Sequence, residues 1–210
     1  MIYFLLFLLQ LLLLWRLSRI INSQFLASLP FLLYALLFLP GTFIHELSHF
    51  LMAKLMFVPV GKFTLMPKRY EKEVVLGSVS IAKVDIIRRL IIGAAPVIFG
   101  LLIIISTISF SISSEILKDW KAGFLISYLV FVVGNTMFSS KKDLEGAWKV
   151  GLTTIIIFTF FYIFGVRFFI NSQSIFFVRL VEILKLANIY LLGPILIDAA
   201  ITLVIRMKMK

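Results

Sequence analysis

The chain has 210 residues, 61% of them hydrophobic and 22 of them phenylalanine. A soluble domain is about 45–50% apolar, so a chain this short cannot hide its own apolar surface and needs lipid as solvent. Lys and Arg outnumber Asp and Glu by 21 to 10, a net charge of +11, but the basic residues stand between apolar runs and form no stripe with exposed aromatics, which argues against nucleic acid and for anionic headgroups.

With no cysteine in the chain, disulfides and thiolate metal sites are excluded as well. A bilayer span takes about 20 apolar residues. The first predicted helix is Ile2–Trp15, which lacks the basic leader and small-residue cleavage site of a signal peptide and so reads as a retained helix. The second starts near Phe25 and runs through Leu39 and His45–His49 towards Phe57. Pro40, which has no N–H, and Gly41 should kink or restart it.

The stretch from Val60 to Asp85 does not belong in lipid, because it holds Lys62, Lys68, Arg69, Glu71, Lys72, Glu73 and Lys83, punctuated by Gly61, Pro67 and Gly77. Partial alternation in Lys62–Leu65 and Val75–Val79 predicts a small β-hairpin or sheet at the membrane surface. The third helix is Leu90–Phe110, opened by Gly93-Ala94-Ala95-Pro96; the fourth is Ala122–Phe138, the fifth Leu152–Phe169 and the sixth Ala187–Ile205. The expected fold is an all-α membrane protein of about six transmembrane helices, with the hairpin between spans two and three, forming one membrane-embedded domain over residues 1–210. With the amino terminus in the cytoplasm, the basic residues favour the cytoplasmic side by roughly two to one, as the positive-inside rule requires. The far side then keeps Arg16, Arg19, Lys118, Lys121, Arg167, Arg179 and Lys185.

Both histidines of the chain lie in His45-Glu46-Leu47-Ser48-His49. Four residues apart on a helix, they project from one face and can reach the same ion, and neutral imidazole is a good zinc ligand. Glu46 is placed where its carboxylate can act on a water beside the ion without itself being a ligand, taking the proton and passing it to a leaving amine. Ionisable groups in an apolar span cost several kcal/mol and are functional candidates for that reason.

Catalytic zinc usually has three protein ligands. With no third histidine and no cysteine the remaining ligand must be a carboxylate or an amide, and the candidates are Asp143, Glu145, Asp198, Glu71 and Glu73. Glu71 and Glu73 read more simply as a solvated face. Asp198 lies inside span six after Gly193-Pro194, and Asp143 closes Ser140-Lys141-Lys142-Asp143, a good capping box for the next helix.

Three features resemble the site-2 protease family of intramembrane zinc metalloproteases. They are His45-Glu46-Leu47-Ser48-His49 followed by Ala53-Lys54 and Val60-Gly61, then Gly93-Ala94-Ala95-Pro96, then Asn135 with Asp143 eight positions on. The resemblance covers a core of residues 25–146, leaving 1–24 and 147–210 as peripheral helices. The chain departs from the family pattern at Phe138-Ser139, where proline is usual, at Leu144-Glu145 before Gly146, and at Ala95.

The resemblance implies that His45, His49 and Asp143 are ligands of Zn2+, that Glu46 is the general base, and that Asn135 binds substrate or stabilises the oxyanion. It also implies an active site near the cytoplasmic face, a transmembrane protein as substrate, and a β edge onto which an unwound substrate strand is added. Two other readings stay open: a membrane zincin with a different third ligand, and a non-catalytic metal-binding protein.

Overall fold

In hydrocarbon a chain segment must satisfy its own backbone N–H and C=O groups, and the helix does so within one segment. The computed structural model describes residues 2–69, 74–114, 116–138 and 174–208, together with Ile156, Thr159, Phe160 and Ile163. Its main elements are α1 (Ile2–Ser28), α2 (Phe31–Leu55), α3 (Ile86–Ser113), α4 (Trp120–Thr136) and α5 (Ile175–Lys208). A 3₁₀ turn, Ile116–Lys118, precedes α4. The helices α1, α2 and α3, and Phe177–Ile205 within α5, are long and apolar enough to cross a membrane, the mark of a multi-pass integral membrane protein. The predicted fifth span, Leu152–Phe169, falls largely outside the described residues.

Helix ends differ from the expectation where polar residues continue an apolar helix. α1 does not stop at Trp15 but runs to Ser28, and α2 begins at Phe31 rather than near Phe25. The break falls at Leu29-Pro30, because proline disfavours helical backbone in the residue before it. Arg16 and Arg19 therefore lie within α1 and not in a far-side loop, and the Arg19 guanidinium sits 5.1 Å over the Trp15 ring. α5 likewise begins well before Ala187 and carries Arg179 and Lys185 on its first turns. Asp85 caps α3 by accepting from the Arg88 N–H at 3.0 Å, and Asp119 caps α4 by accepting from the Lys121 N–H at 3.1 Å.

α2 packs between α3 and α4, while α1 lies along α5. Leu14 and Ile21 of α1, Phe38 of α2, Ile104 of α3, Val132 of α4 and Leu191 of α5 meet in the interior. Large apolar side chains such as Leu9, Leu36, Leu102 and Leu196 face outward, as they should where the surrounding solvent is lipid.

Gly41 brings α2 and α4 together. A Cβ at that position would meet the Val132 carbonyl oxygen at 2.5 Å and the Thr136 hydroxyl, so no larger residue fits without separating the helices. At 17 residues, α4 rises only about 26 Å, short of the ~30 Å hydrocarbon core. Trp120 and Lys121, residue types common at a membrane interface, start it, and its last turn lies beside α2.

The predicted hairpin is present in two short ladders. β1 (Val60–Thr64) pairs antiparallel with β4 (Ser78–Ile81), and β2 (Lys68–Arg69) with β3 (Val74–Val75). The register sets Val60 opposite Ile81, Phe63 opposite Val79 and Thr64 opposite Ser78, with a bulge between Val60 and Phe63. Phe63 holds the hairpin to α2, its ring 6.2 Å from Phe43 and 6.3 Å from Phe50 in edge-on contacts.

Candidate metal centre

His45 and His49 project from one face of α2, their ring centroids 4.9 Å apart and their planes at 80°. With nitrogen–zinc bonds of about 2.0–2.1 Å, two imidazoles on one tetrahedral ion have centroids roughly 5 Å apart, so the spacing suits a shared ion. Each ring is oriented through Nδ1. His45 Nδ1 lies 2.6 Å from the Thr136 carbonyl oxygen and His49 Nδ1 lies 2.9 Å from that of Ile92. A carbonyl oxygen only accepts, so each Nδ1 carries a proton; in the neutral ring Nε2 then carries the lone pair that a metal requires. In histidine metal sites a ligating ring gives its other N–H to an oxygen in the same way, which fixes its tautomer and orientation.

Both acceptors are carbonyls that the helix does not need. Thr136 ends α4, and the last carbonyls of a helix have no donor one turn further on. Gly41 allows the approach of α2 to this end, and His45 follows Gly41 by one turn, which brings its ring to the Thr136 oxygen. Ile92 lies in the interior of α3, but the residue four positions on is Pro96. Proline has no N–H to offer the Ile92 carbonyl, and its ring pushes that carbonyl away from the helix axis. The Gly93-Ala94-Ala95-Pro96 segment thus gives His49 its acceptor.

Glu46 stands between the two rings in sequence and is 8% exposed. The hairpin lies on it. A Cβ at Gly77, in the turn between β3 and β4, would be 2.8 Å from Glu46 Cγ, 3.0 Å from the Thr42 methyl and 3.2 Å from the Thr64 carbonyl oxygen. Thr42 and Glu46 are one turn apart on α2, so Gly77 covers a single strip of that helix. Ser48 is buried in the same turn and donates to the His45 carbonyl at 2.6 Å.

Asp143, Glu145, Glu71 and Glu73 lie outside the described residues. Among the described residues no group of three His, Asp or Glu side chains is placed to hold an ion, so Asp198 does not join His45 and His49. Asp198 is paired instead with Asn135, whose Nδ2 donates to Asp198 Oδ1 at 2.8 Å and to the Phe131 carbonyl at 2.9 Å. Both amide N–H groups of Asn135 are thereby engaged within α4 and with α5.

Thr136 and Gly77 did not stand out in the sequence as site residues, and Pro96 stood out only as part of Gly93-Ala94-Ala95-Pro96. Only Pro96 carried a readable signal, a missing donor four residues after Ile92, and it becomes legible once His49 is known to pack there. Comparison with known proteins finds no matching family model, no matching curated protein and no matching solved structure.

Proposed function

We propose that the chain is an intramembrane zinc metalloprotease that hydrolyses peptide bonds in or near the transmembrane segments of other proteins. One observation carries the reading. Two imidazoles one helical turn apart each give their Nδ1 proton to a backbone carbonyl, the orientation in which a neutral ring presents Nε2 to a metal, and the residue after the first of them is a buried glutamate. Paired histidines in this tautomeric state are chemistry that a structural role in an apolar helix does not call for.

In this reading His45, His49 and Asp143 hold the zinc, two imidazoles and a carboxylate being a donor set that suits it. When bound, the ion supplies Lewis-acid polarisation of the scissile carbonyl and lowers the pKa of a water towards about 7. Glu46 accepts the proton of the attacking water and delivers it to the departing amine. Its burial beneath the hairpin keeps bulk water away and strengthens each electrostatic contact in the site. The route proposed for water runs from Pro40, inside α2, past the hydroxyls of Thr42 and Ser48. A substrate segment unwinds beside α2 and lends its backbone to the hairpin edge. With the amino terminus cytoplasmic, the hairpin and the site face the cytoplasm.

The test is zinc content and cleavage by the purified full-length chain in detergent, with a single-pass membrane protein as substrate. Stoichiometric zinc is expected, with cleavage lost on chelation and restored by zinc. Zinc without cleavage would leave a metal-binding pseudoprotease, and no zinc would end the proposal.

Gly77 supplies a second check. A Gly77→Val side chain must displace either the hairpin or Glu46, and misplacing a reacting group by about 1 Å costs on the order of a hundredfold in rate. The variant is expected to keep its zinc and lose turnover by roughly ten- to a hundredfold. Native turnover by Gly77→Val would mean that the hairpin does not bear on the base in the working enzyme.

A further inference from the structure

Asp198 is fully buried, at 0% exposure, in a helix that the resemblance matches only as an apolar span. A carboxyl group there costs stability unless it does something in return. Its neighbours show what. Asn135, which grips Asp198 Oδ1, is the last residue but one of α4. Its own backbone carbonyl accepts from Ser18 Oγ at 3.0 Å and from Asn22 Nδ2 at 3.1 Å, both on α1. Asn22 is held in turn by Tyr34, whose hydroxyl donates to Asn22 Oδ1 at 3.1 Å. The next carbonyl along the chain, Thr136, is the one that takes the His45 Nδ1 proton.

The terminal turn of α4 is therefore fixed from three sides: α1 by way of the Asn135 carbonyl, α5 by way of the Asn135 side chain, and α2 by way of His45. Adjacent carbonyls in a helical turn are separated only by the φ and ψ of one residue, which the helix holds near fixed values. Rotation of Asn135 would carry the Thr136 oxygen with it.

We propose that Asp198 is a positioning residue for the metal centre: it anchors the Asn135 amide, which holds the last turn of α4 so that the Thr136 carbonyl stays on His45 Nδ1. The proposal rests on the reading of His45 and His49 as metal ligands. It assigns work to α1 and α5, the peripheral helices, and it makes Asp198 a support of the ligand sphere and not a member of it. What matters at position 198 is an acceptor oxygen of the right reach, not a negative charge.

The experiment compares Asp198→Asn, which keeps an acceptor oxygen, with Asp198→Leu, which removes it. The control is Asn188→Leu, which deletes another buried amide of the α1–α5 interface, one that donates to the Tyr3 and Leu184 carbonyls far along α5 from Asp198. The probes are zinc affinity by chelator competition, the absorption spectrum of the cobalt-substituted protein, and thermal unfolding. Loss of an outer-shell partner typically weakens metal binding by about 10–100-fold. Asp198→Leu is expected to lose affinity on that scale with an altered cobalt spectrum, Asp198→Asn to stay near native, and Asn188→Leu to lose stability alone.

Native zinc affinity and spectrum in Asp198→Leu would overturn the proposal while leaving the metal centre standing. Equal loss in Asp198→Asn and Asp198→Leu would also overturn it, by making the carboxylate charge itself the requirement. Absence of zinc from the native protein would remove both readings together. Should Asp198→Leu fail to fold, Asp198→Ala removes the acceptor without adding bulk and is read in the same way.

Discussion

Glu46→Gln is expected to bind zinc at native stoichiometry and to cleave its substrate slower by at least a hundredfold. The amide is nearly the same size as the carboxylate, so α2, the bend at Gly77 and the two imidazoles need not move. What is lost is the proton acceptor. General base catalysis by a positioned side chain contributes about 10²–10⁴-fold, and an amide cannot take its place. The measurement is single-turnover cleavage alongside metal analysis of the same preparation. Undiminished turnover by Glu46→Gln would reject the base role, whereas loss of zinc from the variant would make Glu46 a ligand and require a different base.

Pro96→Ala should move two properties in opposite directions. Alanine restores the N–H that the Ile92 carbonyl lacks and removes the ring that tilts that carbonyl outward, so α3 regains a hydrogen bond. Helix formation by itself favours alanine over proline by about 3 kcal/mol in a helix interior, and a gain of part of this in thermal stability is expected. The cost falls on His49. With the Ile92 oxygen turned back along its own helix, the 2.9 Å bond to Nδ1 weakens and the ring loses its fixed orientation. Zinc affinity is expected to fall by about 10–100-fold, the scale of outer-shell losses. Chelator competition and thermal melts on the metal-free protein test the two halves separately. A more stable variant with undiminished zinc affinity would show that the proline serves the shape of the helix alone.

The parts of this molecule that can be read in the sequence are those governed by local period. Among the described residues, apolar runs of bilayer length are helices, and the alternation in Lys62–Leu65 and Val75–Val79 marks the hairpin. The four-residue spacing of His45 and His49 puts them on one helix face for the same reason. Helix ends were harder to place, because hydropathy senses what a side chain faces and not where backbone hydrogen bonding stops. Ser18 and Asn22 look like the start of a loop, yet they are helical and turn inward to the end of α4, 117 and 113 residues away in sequence.

The same distance hides the supports of the candidate site. The pairing of Asn135 with Asp198 spans 63 positions, and nothing local in either segment announces it. An isolated carboxylate in an apolar span reads as a metal ligand or a relay until its partner is known. Gly77 is likewise ordinary punctuation in a β segment until α2 is seen beneath it.

The edge-on packing of Phe63 against Phe43 and Phe50 has a kinetic consequence. Those rings act as a latch, since any peptide that reaches Glu46 from the side of Gly77 has to lift the hairpin, and lifting it parts both aromatic contacts. Each such pair is worth about 0.5–1.5 kcal/mol beyond its buried area. Two such pairs raise the lifted conformer by about 1–3 kcal/mol, which makes it a minor one, populated at roughly 1–15%. On the function proposed above, Glu46 would then be covered most of the time, and cleavage would draw on the minor form in which the hairpin is lifted.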